Sequence, residues 1–92
     1  MALFKSKEMR AFNFHLDGLS FGIGVITDRK ILQEGVVELS VVARRAVQAG
    51  HREEVTRKLA QARTWPISGP ENKAKAWRMV LDSVVNVVSA TQ

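Results

Sequence analysis

The final quarter of the chain, Ser68 to Ser89, limits the fold more than any other stretch, because it reads as one long amphipathic helix that has to be covered. Ala74, Trp77, Leu81, Val84 and Val88 recur at intervals of three and four, the spacing that puts side chains on one face of a helix. Val80, Val85 and Val87 widen that face, and Lys73, Lys75, Arg78, Asp82, Ser83 and Asn86 fall mainly opposite. The start is marked as well. Ser68 with Glu71 three residues on has the form of a capping box, and Pro70 suits the first turn, where its missing N–H costs nothing. A chain of 92 residues makes one domain, so its other elements must supply the cover.

Arg10 to Val25 reads as a β-hairpin. Asp17-Gly18 is a favoured two-residue turn, because both positions tolerate positive φ. In that register Leu16 faces Leu19, Phe14 faces Phe21 and Phe12 faces Ile23, and all six share one face. The opposite face, with Gly22 and Gly24, is nearly bare. Its glycines mark either a bulge or close approach by the protein's own chain, or a flat landing surface for a partner. Asp28-Arg29 turns the chain into a short strand at Lys30 to Gln33 or caps a helix running through Gly35. An interior glycine costs a helix about 1 kcal/mol, which favours a helix that begins after Gly35. Valines 36 to 42 also suit a strand, and Gly50 ends the helix as a C′ glycine.

Arg52 to Thr64 follows as a helix with a narrow stripe of Val55, Leu59 and Ala62. Glu53 and Glu54 in its first turn and Arg63 in its last suit the macrodipole. Trp65-Pro66-Ile67-Ser68-Gly69-Pro70 is the main loop, and Trp65 is expected to plug a junction between helices. The expected fold class is therefore α+β: an N-terminal β-hairpin with about three α-helices, the longest at the C-terminus. The four phenylalanines are assigned to the core or the N-terminal tail.

Composition narrows the chemistry. Without cysteine there is no disulfide, thiolate catalysis or cysteine-based metal site, which fits a cytoplasmic chain. His15 and His51 are far apart in sequence and form no metal motif. Glu53 and Glu54 point about 100° apart on a helix and do not converge. The expectation is a protein that is not an enzyme and uses no cofactor or metal. No apolar run reaches the roughly 18 residues of a membrane span, so no membrane partner is expected.

The formal charge of +5 favours an anionic partner, nucleic acid or an acidic protein surface. Ala46-Val-Gln-Ala-Gly50 resembles the corner of a helix-turn-helix, with Arg52, Arg57 and Lys58 then on the recognition helix. Thr56 stands where an apolar residue normally locks that helix. An ordinary helical hairpin with a glycine corner explains the same residues. A protein–protein module accounts for more of the chain. Arg44, Arg45, Arg52, Arg57 and Lys58 would form one electropositive patch if Gly50 holds the two helices together, with Trp65 as an anchor.

In size, charge and lack of catalytic groups, the chain resembles the anti-RecBCD modulator proteins of lambdoid phages. The local feature that adds to the likeness is the Trp65-to-Pro70 loop, whose Gly69-Pro70 resembles dipeptides that peptidyl-prolyl isomerases accept. The resemblance implies a protein that docks on a host DNA-processing complex and inhibits or redirects it, with such an isomerase as a further partner. Phage inhibitors of CRISPR effector complexes are similar in style.

Overall fold

The computed structural model describes residues 6 to 92, and Phe4 lies outside them. Four α-helices follow one another: α1 Lys7–Gly22, α2 Arg29–Ala46, α3 Arg52–Ala62 and α4 Glu71–Ala90. A kinked corner, Val47–His51, in which Gly50 leaves the helical conformation, joins α2 to α3. No strand occurs among the described residues. The fold is all-α, and the expected α+β class with its hairpin is incorrect.

The error at α1 has a physical cause. Met9, Phe12, Leu16, Leu19 and Ile23 are buried, and their spacing of three, four, three and four is that of a helix face. Phe14 and Phe21 interrupt this stripe and imitate a strand's alternation, yet they lie 75% and 83% exposed. Asp17-Gly18 sits inside the helix rather than in a turn. Its intrinsic cost, about 1 kcal/mol for the glycine, is outweighed by five buried apolar side chains and a capped start. Ser6 is the N-cap, its Oγ accepting from Met9 N at 3.2 Å. The same oxygen shares a 3.0 Å hydrogen bond with His51 Nε2, which ties α1 to the corner between α2 and α3.

Asp28 caps α2 by accepting from Lys30 N at 2.8 Å, and the helix runs straight through Gly35 instead of starting after it. A Cβ at Gly35 would stand 3.0 Å from Leu19 Cδ1, so the missing side chain lets α1 and α2 approach. The valines 36 to 42 are helical. Gly50, at φ 98°, takes the left-handed conformation expected of a helix-ending glycine.

α4 starts at Glu71, with Pro70 as an N-cap residue that makes no side-chain bond, so the expected Ser68 capping box does not form. The reason is a close approach of two loops. Gly69 has φ 104°, and a Cβ on Gly24 would lie 2.4 Å from the Ser68 carbonyl oxygen. Gly24 is thus needed for approach by the protein's own chain. Lys73 Nζ fixes the same junction by donating to the Ile26 carbonyl at 2.5 Å.

α1 packs on α2, α2 on α4 and α3 on α4. The smallest dimension is 18 Å, two helix layers at the usual 8–10 Å spacing. Trp77, fully buried, donates from Nε1 to the Ala62 carbonyl at 2.7 Å. Trp65, half-buried, stacks on it with ring centres 6.4 Å apart, as expected of a plug between helices.

Candidate functional site

Of the apolar surfaces left uncovered among the described residues, two follow directly from helix geometry. On α1, at 100° per residue, Phe14 and Phe21 lie about 20° apart and point almost directly away from the buried stripe. Gly18 falls between them, and a Cβ there would meet nothing within 4 Å. Phe14 rests edgewise on His15, ring centres 5.5 Å apart, and His15 Nδ1 stands 3.8 Å from Glu38 Oε2 on α2. Because α1 is an outer helix packed on one side, nothing within the described chain covers these rings. They correct the assignment of all four phenylalanines to core or tail.

The second surface is a groove of about 570 Å³ between α2 and α4, floored by Leu32, Val36, Ala76 and Val80. Val37 and Met79 stand on its edges, 61% and 63% exposed. Arg29, Gln33 and Ser83 complete the lining, which contains no carboxylate. An apolar trough between two helices, with a polar rim, is the shape that receives an amphipathic helix from another protein.

Of the five basic residues expected to form one patch, Arg52 and Lys58 make contacts within the chain. Arg44 and Arg45 are exposed at the end of α2, and Arg45 borders a hollow beside Lys7 and Glu8 of α1. Arg52 is turned to α4, its guanidinium donating to the Val88 carbonyl at 2.8 Å and to the Thr91 carbonyl. It therefore caps the C-terminus of α4. Lys58 Nζ lies 6.0 Å from the centre of the Trp65 ring, within reach of a cation–π contact. Arg57 is exposed, about 140° around α3 from Arg52 and 100° from Lys58, with Glu53 one turn before it.

Gly69 and Pro70 are both exposed. Gly69 serves the close approach to Gly24, and Pro70 stands at the start of α4. The helix-turn-helix reading fares less well on charge. Glu53 and Glu54 occupy the first turn of α3, the end that would meet the DNA in that motif.

The Ser6–His51 pair has the spacing of a nucleophile and base. The same hydroxyl also accepts from the Met9 amide as the cap of α1. No cluster of three His, Cys, Asp or Glu that could hold a metal occurs among the described residues. No helix among them is long and apolar enough to cross a membrane.

Val37 and Met79 were missed as site residues because nothing in a sequence says which apolar side chains find cover. Phe14 and Phe21 did carry a signal. They are seven residues apart, a helical repeat on the face opposite Phe12, Leu16 and Leu19. Comparison of the chain with protein-family models, with curated proteins and with solved structures gave no match.

Proposed function

We propose that the protein is a non-enzymatic docking module that seats an apolar helical segment of a partner protein in the groove between α2 and α4. The observation that carries this reading is the uncovered trough itself, with Val37 and Met79 more than half exposed on its edges. Arg29 at the rim, without a carboxylate beside it in the lining, favours a segment with an acidic residue at that end. A more specific form, a phage-type protein that inhibits or redirects a host DNA-processing complex of the RecBCD kind, is supported by the small size and the net charge of +5.

The test is a tagged capture from bacterial lysate, with and without nuclease, read by mass spectrometry. A stoichiometric protein complex that survives nuclease supports docking and names the partner. Recovery that disappears with nuclease makes nucleic acid the ligand and overturns the reading.

A further inference from the structure

We propose that the outward face of α1 pairs with the same face of a second copy, forming an antiparallel two-fold dimer centred on Phe14. This inference is independent of what the α2–α4 groove binds. The stripe opposite the α1 core carries Lys7, Arg10, Phe14, Asp17, Gly18 and Phe21, all exposed. Taken from Phe14 at 100° per residue, all six lie within about 60° of one direction.

Along that direction the stripe is self-complementary. Its basic residues, Lys7 and Arg10, stand before Phe14, and Asp17 and Phe21 stand after it. A two-fold axis through Phe14, perpendicular to the helix pair, superposes these halves. Residue i then lies level with residue 28 − i of the partner copy. Lys7 and Phe21 are each about 10.5 Å from Phe14 along the axis, so the ammonium of one copy lies over the ring of the other. Arg10, about 6 Å before the axis, meets Asp17 of the other copy, about 4.5 Å after it. Both residues fall on the same flank of the stripe, and the two-fold operation preserves that flank.

Gly18 lies level with Arg10 of the other copy but on the opposite flank, where its bare backbone lets the two helices approach. The two Phe14 rings meet on the axis. Such an interface is isologous, as most homodimer contacts are. It also leaves the α2–α4 groove of each copy open.

The test is the mass of the full chain by light scattering over a concentration series, for the native protein and four variants. The native chain is expected to dimerise. Arg10→Asp and Asp17→Arg alone should each weaken the dimer roughly tenfold, and the double variant R10D/D17R should recover it. Phe14→Lys should leave a monomer. Circular dichroism establishes that each variant keeps its helix content. Arg10 and Asp17 are seven residues apart on one helix and too distant to pair within a chain, so recovery in the double variant is a contact between copies. A native chain that stays monomeric overturns the proposal, as does a dimer indifferent to Phe14→Lys. Failure of the double variant to recover overturns the antiparallel register.

Discussion

Replacing Gly18 with alanine separates the helical account of α1 from the hairpin that the Asp17-Gly18 dipeptide favours. In the structure Gly18 is exposed in mid-helix, and an added Cβ meets no atom within 4 Å. Nothing in the fold opposes the substitution, and alanine gains the intrinsic helix preference of about 1 kcal/mol over glycine. An unfolding entropy of about 2.1 cal/mol/K per residue over 92 residues turns that gain into a rise in Tm of about 5 °C. In a hairpin turn the same residue would need positive φ, and alanine would instead cost about 1–2 kcal/mol. The two accounts differ in sign. The assay is thermal unfolding followed by far-ultraviolet circular dichroism on dilute protein, where association contributes nothing to Tm. A fall in Tm would refute the placement of Gly18 inside a helix.

Two further substitutions test the junctions. Gly24→Ala drives a methyl group into the Ser68 carbonyl, where 2.4 Å is available; the loops must separate, and a loss of about 2 kcal/mol is expected from the urea midpoint. Arg52→Ala removes the cap on the Val88 and Thr91 carbonyls. It should cost about 1 kcal/mol and speed amide hydrogen exchange in the last turn of α4 more than elsewhere; uniform exchange would show that Arg52 does not hold that end.

The parts of the fold legible in the sequence are those whose main apolar stripe lies on one face and is buried. Trp77, Leu81, Val84 and Val88 on α4, and Val55, Leu59 and Ala62 on α3, are buried as their spacing requires. Gly50 was legible because glycine is the usual residue at the left-handed position that ends a helix, and its φ is 98°. α1 was not legible because it carries apolar residues on two opposite faces, and the sum of the two patterns imitates alternation. The starts of α2 and α4 were obscured by tertiary contacts. Gly35 is tolerated in mid-helix because Leu19 needs the space, and Ser68 fails to cap because its backbone lies against Gly24. For the candidate site, charge alone did not show which basic residues make contacts within the chain. Arg52 and Lys58 are drawn into contacts within the chain, to the end of α4 and to Trp65, and the uncovered surfaces are apolar.

The central claim, that the α2–α4 groove receives the partner, is tested most directly by comparing capture from nuclease-treated lysate for two sets of variants. One set is Val37→Gln with Met79→Gln, polar helix formers at exposed positions on the groove's edges. The other is Arg44→Glu, Arg45→Glu and Arg57→Glu, which reverses exposed charges. Burying an apolar side chain of this size contributes about 1.5–3 kcal/mol, so the groove variant should lose at least tenfold in retained partner while the charge variant keeps it. Capture that survives in the groove variant and vanishes in the charge variant would contradict the account and return the interface to the basic surface.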